Sequence, residues 1–240
     1  MIRRGRSALA ARGRFTVALS GGSTPMRMYE ALVERAADGR DDDLWRDTWI
    51  FWGDERCVPP DDPRSNYRAA RENLLRALPV REENVHRVPT ESGEPDLVAR
   101  EYGARIVALL DGPDPPPRFD LVLLGLGKDG HTASLFPGES TLRGGDRIVA
   151  ATDAAHDGLY RVTLTPPVLN EARAVIFLVA GEEKADMLFE VLEEPRRSDP
   201  RPAQKIVPVR GELLWMVDRG AARRLASPDG PRPDERRRPR

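Results

Sequence analysis

The 240 residues of the chain, 40% of them hydrophobic, are enough for a sizeable core, and a formal net charge of −1 provides no basic field for nucleic acid. A single cysteine excludes an internal disulfide framework and favours a reducing compartment, so we expect a cytoplasmic protein. The longest clean apolar run, residues 174–180, is too short to span a bilayer, and residues 1–15 lack the apolar core of a secretory signal. We therefore expect neither nucleic acid nor a membrane as a partner.

Apolar strands and amphipathic helices alternate along the chain. Strands are predicted at residues 15–19, 48–52, 119–124, 148–151, 160–164, 175–179 and 213–217. Helices are predicted after the turn at residues 20–25, after a cap at Ser65, over residues 97–110, after Thr165 and over residues 182–193. This order predicts an α/β fold with a mostly parallel sheet covered by helices on both faces. Residues 1–226 are expected to form one domain, and the proline- and arginine-rich residues 227–240 a disordered tail.

The first turn after a strand reads Ser-Gly-Gly-Ser-Thr-Pro, residues 20–25. Gly21 and Gly22 allow the backbone to approach a ligand closely, Ser23 or Thr24 can cap the following helix, and Pro25 suits the first helical position. Free amide groups and the helix dipole would then form a cradle for an anion such as phosphate. The alternative is an ordinary strand-to-helix turn. The spacing is neither that of a Walker A loop nor that of a dinucleotide fingerprint.

Arg56 and Lys184 lie at positions where a cation can either contact a ligand or have a purely structural role. Arg56 closes the sequence Gly-Asp-Glu-Arg after the second strand, where it would hold a phosphate or a sugar hydroxyl. The alternative is a local ion pair with Asp54 or Glu55. Lys184 lies in the first turn of a predicted helix, where a cation opposes the helix dipole and gains nothing structurally. That position favours a ligand role for Lys184 over a solvated face.

The turn after strand 119–124 reads Gly-Leu-Gly-Lys-Asp-Gly-His and carries the most informative histidine of the chain. Open α/β sheets place their chemistry just past the carboxyl ends of strands, where His131 lies. Asp129 and His131 are two residues apart and suit an orienting carboxylate and a general base. The alternative is a buried, hydrogen-bonded histidine in a tight turn that Asp129 caps.

The other histidines and the cysteine have no such setting. His86 and His156 lie in polar loops and are interpreted as bystanders. Cys57 lacks a neighbouring histidine or basic pair to activate it and is interpreted as structural. No cluster of histidine, cysteine and carboxylate has metal-ligand spacing, so neither a metal nor another cofactor is expected.

Several motifs, taken together and in order, resemble the 6-phosphogluconolactonase family. The match runs over residues 15–222 and includes ALSGGSTP, WGDERCVPPDDPRSNY, FDLVLLGLGKDGHTASLFPG, RVTLT, GEEKA and LLWMVD. The resemblance implies a Rossmann-like sheet and a metal-free site. It also implies hydrolysis of 6-phospho-D-glucono-1,5-lactone to 6-phosphogluconate in the oxidative pentose phosphate pathway. The implied partner is this small phosphosugar lactone, and we expect a monomer.

The resemblance also implies a role for each matching position. His131 would be the general base that activates water, and Asp129 would position it. Arg56, Arg161 and Lys184 would supply positive charge for the phosphate or the developing oxyanion. The amides of Gly21, Gly22, Ser23 and Thr24 would contribute to the phosphate cradle.

Two other functions compete with the lactonase. Glucosamine-6-phosphate deaminases share the glycine-rich turn and an Asp-Gly-His element, but Phe136 stands here at the position of their catalytic glutamate. Arg56 completes Asp-Glu-Arg where the deaminases read Asp-Glu-Tyr. A non-catalytic sugar-phosphate sensor is the second alternative, although no helix-turn-helix module is visible. The family usually carries about one more strand and most of a helix before the first glycine-rich turn, so residues 1–12 are expected to be the remnant of that helix.

Overall fold

The structure, a computed structural model, describes residues 1–110, 116–143, 145–195 and 198–226. The tail that the composition predicts to be disordered, residues 227–240, lies outside the described residues. None of the helices in the described part of the chain is both long and apolar enough to cross a membrane.

The strands form two sheets. They are β1 (Phe15–Leu19), β2 (Thr48–Trp52), β3 (Asp54–Arg56), β4 (Leu121–Leu124), β5 (Val149–Ala151), β6 (Arg161–Leu164), β7 (Ala174–Val179) and β8 (Glu212–Val217). The larger sheet has the spatial order β2-β1-β4-β7-β8, and every pairing in it is parallel. The predicted parallel α/β architecture is therefore confirmed.

Helices connect these strands, as the alternation predicted. They are α1 (Ile2–Arg12), α2 (Ser23–Ala36), α3 (Asp42–Arg46), α4 (Asn66–Asn73), α5 (Pro95–Leu109), α6 (Pro166–Glu171), α7 (Ala185–Leu192) and α8 (Arg219–Ala222). Short 3₁₀ turns lie at Leu75–Ala77, Glu82–Asn84, Thr90–Ser92, Ser140–Leu142, Glu182–Lys184 and Pro202–Lys205. The predicted cap is confirmed at Ser65, whose hydroxyl accepts a hydrogen bond from the Arg68 amide at 3.1 Å.

The centre of the parallel sheet is the core. All residues of β1, β4 and β7 are buried, which is why these strands read as continuous apolar runs rather than as alternating ones. Tyr102 of α5 ties its helix to the sheet, because its hydroxyl both accepts from the Trp52 amide at 2.8 Å and donates to the Trp52 carbonyl at 3.1 Å. These two bonds fix α5 to the carboxyl end of the edge strand β2.

A second, antiparallel sheet of order β3-β6-β5 lies beside the first. The predicted strands near residues 148–151 and 160–164 belong to it and not to the parallel sheet. Strand β3 was not predicted, because its three residues, Asp-Glu-Arg, carry no apolar pattern. Its pairing with β6 sets Arg56 directly opposite Arg161.

Helix α1 is fixed to the sheet through a buried carboxylate. Asp120 accepts from the amide and the hydroxyl of Thr16 on β1, at 2.9 and 3.1 Å. Its other oxygen lies 2.6 Å from the Arg12 guanidinium at the end of α1 and 3.3 Å from Nε of Arg173. Two guanidinium groups compensate the single negative charge of this buried carboxylate, and the one from Arg12 fixes the end of α1 to the sheet.

Candidate active site

A cavity of about 550 Å³ opens at the carboxyl ends of β1, β4 and β7, the edge where α/β sheets bind ligands. The small antiparallel sheet forms the opposite wall through β3 and β6. The residues predicted for the site all line this cavity: Gly21, Gly22, Ser23, Thr24, Arg56, Asp129, His131, Arg161 and Lys184. The turns that follow separate strands therefore converge on one volume, while the chemical role of each residue remains a prediction.

The first turn differs in detail from its prediction. Helix α2 begins at Ser23, and Gly22, with φ of 98°, takes the N-cap position. No side chain caps this helix, so the expected capping by Ser23 or Thr24 is wrong, and Pro25 is the third helical residue instead of the first. Ser23 and Thr24 are the first two helical residues, and both line the cavity. The first amides of a helix have no intrahelical acceptor, which suits an anion at this end.

His131 and Asp129 form a tight pair in the third turn. Nδ1 of His131 lies 2.5 Å from Oδ1 of Asp129, and the His131 amide donates to the same oxygen at 3.1 Å. The side chain of His131 is 30% exposed, so it is not the fully buried histidine of the alternative interpretation. With Nδ1–H donating to the carboxylate, as the hydrogen bond assigns it, Nε2 carries the lone pair. No residue in the described ranges bonds to that Nε2.

The carboxylate of the pair is held ionised. Burial acts to raise the pKa of Asp129, but the hydrogen bonds from the His131 amide and ring and the charge of that ring outweigh it, so the pKa lies below its usual range. An ionised Asp129 orients the imidazole and stabilises the imidazolium that forms when His131 accepts a proton. The geometry suits an orienter and a base.

Close packing of the backbone makes this pair possible. The Gly127 amide donates to the His131 carbonyl at 2.8 Å and closes the turn. A Cβ atom at Gly127 would lie 2.1 Å from Nδ1 of His131 and 2.7 Å from Oδ1 of Asp129. Only glycine fits there without displacing the histidine or the aspartate.

Arg201 supports the turn from a distant part of the chain. Its guanidinium reaches the Asp129 carbonyl at 3.4 Å and is held by Glu190 at 2.8 Å. The Ala203 amide donates to the Gly130 carbonyl at 3.1 Å. Sequence reasoning missed Arg201, because no local pattern relates it to a turn about seventy residues earlier.

Arg56 is free of the local ion pair that was its alternative interpretation. Its Nη1 donates to the Arg64 carbonyl at 2.8 Å and to Oδ1 of Asn66 at 2.7 Å, both uncharged acceptors. Neither Asp54 nor Glu55 forms an ion pair with it within the described ranges. The guanidinium therefore keeps its full charge for a ligand.

The two acids beside Arg56 are occupied by the scaffold. Glu55 accepts from the amides of Asn66 and Tyr67, both at 2.7 Å, and burial nevertheless raises its pKa above the usual range. Asp54 accepts from the Ser134 hydroxyl at 2.6 Å. This bond joins the small sheet to the turn that carries His131, and it leaves Ser134 buried and unsuited to act as a nucleophile.

Arg161 is the most deeply placed cation of the cavity, with a side chain only 9% exposed. Its Nη2 lies 3.0 Å from Oδ2 of Asp157, a fully solvated partner. Its Nε is buried without a hydrogen-bond partner, and the same holds for Nε of Arg56. An unsatisfied buried donor costs about 1–3 kcal/mol, and both of these donors belong to cations that line the cavity.

Lys184 follows β7 in the chain and lines the same cavity as Arg56 and Arg161. It takes the N-cap position of α7, after the 3₁₀ turn that replaces the first part of the predicted helix. Burial lowers its pKa below the usual range, against the neighbouring charge of Glu183. Lys128, an exposed residue, also lines the cavity.

The other two histidines, His86 and His156, and the cysteine Cys57 lie in different environments. His86 lies outside the cavity, packed against Phe51 with ring centroids 4.8 Å apart. Burial raises the pKa of the half-buried Cys57 thiol to about 11, in agreement with a structural role. His156, however, lines the cavity, which its polar sequence neighbours did not indicate. Only the fold of the hairpin between β5 and β6 brings it there.

The chain has extensive similarity to known proteins. Residues 1–215 match the model of the family described as glucosamine-6-phosphate isomerases/6-phosphogluconolactonase. The chain is 42% identical over 219 residues to a 6-phosphogluconolactonase of Synechocystis sp., covering 91% of this chain and 88% of that protein. It is 41% identical over 219 residues to a 6-phosphogluconolactonase of Homo sapiens, with 91% and 83% covered. The solved 6-phosphogluconolactonase of Trypanosoma brucei superposes with a TM-score of 0.80 at 32% identity, over 94% of this chain and 91% of that one.

Proposed function

The chain belongs to the family of glucosamine-6-phosphate isomerases and 6-phosphogluconolactonases, and from that membership we propose that it hydrolyses 6-phospho-D-glucono-1,5-lactone to 6-phospho-D-gluconate. The observation that carries the proposal is the pair of His131 and Asp129, 2.5 Å apart, in one cavity with Arg56, Arg161 and Lys184. A base and a group of cations are what a phosphorylated lactone requires. The reaction is the second step of the oxidative pentose phosphate pathway.

The proposed reaction proceeds by attack of water on the lactone carbonyl. Nε2 of His131 takes a proton from water as the water oxygen bonds to the carbonyl carbon, and a tetrahedral oxyanion forms. The ring C–O bond then breaks, and the imidazolium returns the proton to the departing ring oxygen. A positioned base contributes about 10²–10⁴-fold to such a step. Asp129 holds the ring in the reactive tautomer throughout.

The cations divide between the phosphate and the oxyanion. A phosphate monoester carries close to two negative charges at neutral pH, and charge-assisted bonds from arginine are the strong ones. We propose that the amides of residues 21–24 bind the phosphate together with some of the cations Arg56, Arg161 and Lys184. The rest of these cations stabilise the oxyanion, which supplies a further large factor in acyl-transfer reactions.

The proposal includes a mechanism without a metal, a cytoplasmic location and a monomeric state. Within the described ranges, no group of three or more histidine, cysteine or acidic side chains is arranged to hold a metal ion. The described acids at the cavity are engaged: Asp129 with His131, Asp54 with Ser134 and Asp157 with Arg161. Their engagement supports a reaction driven by the histidine and the cations.

One assay separates the lactonase from its two alternatives. The lactone is generated from glucose 6-phosphate by its dehydrogenase, and its decay is followed at slightly acidic pH, where spontaneous hydrolysis is slow. Accelerated decay with the purified protein supports the proposal. Release of ammonia from glucosamine 6-phosphate without lactone hydrolysis would establish the deaminase. Binding of 6-phosphogluconate by a folded protein with neither activity would establish a sensor.

A further inference from the structure

His156 lies at the tip of the hairpin that joins β5 to β6. Its amide donates to the Leu159 carbonyl at 2.9 Å, and the Leu159 amide donates back at 3.1 Å, which closes a two-residue loop. Asp157, the first loop residue, has φ of 53°, the left-handed conformation that such loops require. The loop is therefore a defined turn, and it presents His156 and Asp157 to the cavity.

The imidazole of His156 is fixed from two further directions. Its ring stacks on Phe136 with centroids 3.5 Å apart and planes inclined by 10°. Phe136 in turn packs against His131 with a centroid distance of 4.6 Å, so one aromatic ring separates the two histidines. Nε2 of His156 lies 2.6 Å from Oε1 of Glu139, a carboxylate only 9% exposed. One ring face and one nitrogen are thus engaged by the protein.

The other nitrogen is available for a ligand. Because the Glu139 carboxylate accepts from Nε2–H, the neutral imidazole carries its lone pair on Nδ1. In the described part of the chain no residue bonds to Nδ1, the side chain is 29% exposed, and His156 is one of the residues that line the cavity. Nδ1 is the one remaining polar atom of this side chain, and it accepts hydrogen bonds.

We propose that His156 is a substrate-contacting residue whose Nδ1 accepts a hydrogen bond from a ring hydroxyl of the phosphosugar lactone. The inference rests on the proposed function for the identity of the substrate. The cations of the cavity attract the phosphate, yet none of them accepts a hydrogen bond, whereas the sugar ring presents hydroxyl donors. A fixed acceptor on the wall opposite the glycine-rich turns meets that need. This hydrogen bond would favour a substrate that carries a ring hydroxyl at that position. An analogue without the hydroxyl would leave Nδ1 of His156 without a hydrogen-bond partner.

The test compares two variants that each keep one half of the imidazole. His156→Gln retains an amide donor at the distance of Nε2 for Glu139 but has no atom in the place of Nδ1. His156→Asn places its amide near Nδ1 and cannot reach Glu139. The equivalent exchange His86→Gln, outside the cavity, is the matched control. For each protein, KM and kcat for the lactone, the Kd for 6-phosphogluconate and the thermal unfolding midpoint are measured.

We expect His156→Gln to raise KM and Kd by about three- to tenfold, the loss of one neutral hydrogen bond, with kcat changed less. His156→Asn is expected to bind the lactone and 6-phosphogluconate more tightly than His156→Gln does, although it loses the hydrogen bond to Glu139. Wild-type KM and Kd in a folded His156→Gln variant would overturn the proposal, and so would a loss confined to kcat. If His156→Gln does not fold, His156→Asn decides: affinity lower by more than tenfold overturns the proposal, and retained affinity supports it.

Failure of the proposed function has a different signature. A wild-type protein without lactonase activity would contradict the proposed function. The ratio of the Kd values of the wild type and His156→Gln for 6-phosphogluconate would then still decide whether Nδ1 contacts the sugar.

Discussion

The two walls of the cavity are built in different ways. On the parallel sheet, turns that directly follow β1 and β4 carry the reactive groups, so neighbours in space, such as Asp129 and His131, are also neighbours in sequence. On the small antiparallel sheet, Arg56 and Arg161 lie opposite each other through strand pairing, although they are far apart in the chain. The first wall depends on the local geometry of two turns, and the second depends on pairing between strands that are distant in the chain. Substitutions should therefore damage the two walls in distinguishable ways.

The largest effect is expected on the first wall, from Gly127→Ala. The new methyl group would lie 2.1 Å from Nδ1 of His131, so the histidine must leave its bond to Asp129. We expect kcat to fall by about 10²-fold or more, the contribution of a positioned base, and the free energy of unfolding to fall by about 1–3 kcal/mol. Steady-state kinetics and denaturant unfolding measure the two effects.

Gly125→Ala is the control for stability in the same turn, because its added methyl group would meet no atom within 4 Å. Equal unfolding free energies for the Gly125→Ala and Gly127→Ala variants would show that the close approach at Gly127 has no structural consequence.

On the second wall, Arg161→Gln should weaken binding more than it disturbs the fold. Charge-assisted hydrogen bonds contribute roughly 1.5–3 kcal/mol, so kcat/KM is expected to fall by roughly tenfold to 150-fold. Arg161→Lys keeps the charge but loses the planar guanidinium, so its kcat/KM should lie between those of Arg161→Gln and the wild type. If Arg161→Gln keeps the wild-type kcat/KM, this cation does not contact the substrate.

Lys184 should have a smaller effect, because an ammonium is a point charge with no bidentate geometry. Lys184→Met is expected to raise KM about fivefold to tenfold with little change in kcat, since we propose a binding role. An unchanged KM would remove Lys184 from the binding set.

The charge of Lys184 also predicts a pH dependence. Because burial lowers the pKa of Lys184, its ammonium is lost at a lower pH than that of an ordinary lysine. The affinity for 6-phosphogluconate should therefore weaken as the pH rises, and less so in the Lys184→Met variant. Calorimetric titrations over the alkaline range test this, and parallel pH profiles for the two proteins would contradict it.

The smallest effect is expected outside both walls, at His86. Burial lowers its pKa to about 4, while an unfolded histidine titrates near 6.5, so between these values the unfolded chain binds more protons. The free energy of unfolding should therefore fall as the pH drops from about 6.5 to about 4, by roughly 1 kcal/mol after allowance for partial exposure. His86→Phe should flatten this dependence without changing lactone hydrolysis. If the free energy of unfolding of His86→Phe falls with pH as steeply as that of the wild type, His86 is not the source of this pH dependence.

The difference between the walls also explains what the sequence could predict. Residues 20–25 and 125–131 were identified because a strand, its turn and the reactive side chain are contiguous, and β1 and β2 were predicted with their observed bounds. His156 and Arg201 were not identified, because their relation to the site arises only from the hairpin and from the contact with the Asp129 carbonyl. Strand β3 has no apolar pattern and forms only because β6 pairs with it. Long-range pairing is the information that a single sequence does not display.

The capping of α2 was predicted wrongly at the level of local propensity. Ser23 and Thr24 are good capping residues, but the helix begins at Ser23, and Gly22 takes the N-cap position without a side chain to cap it. Propensity alone therefore did not determine at which residue this helix begins.

The most direct test of the account compares the wild type with His131→Ala in lactone hydrolysis and in binding of 6-phosphogluconate, on the same samples. We expect the variant to lose about 10²–10⁴-fold in kcat, while its affinity for 6-phosphogluconate and its unfolding midpoint stay close to those of the wild type. A variant that retains most of the wild-type activity would contradict the assignment of His131 as the base.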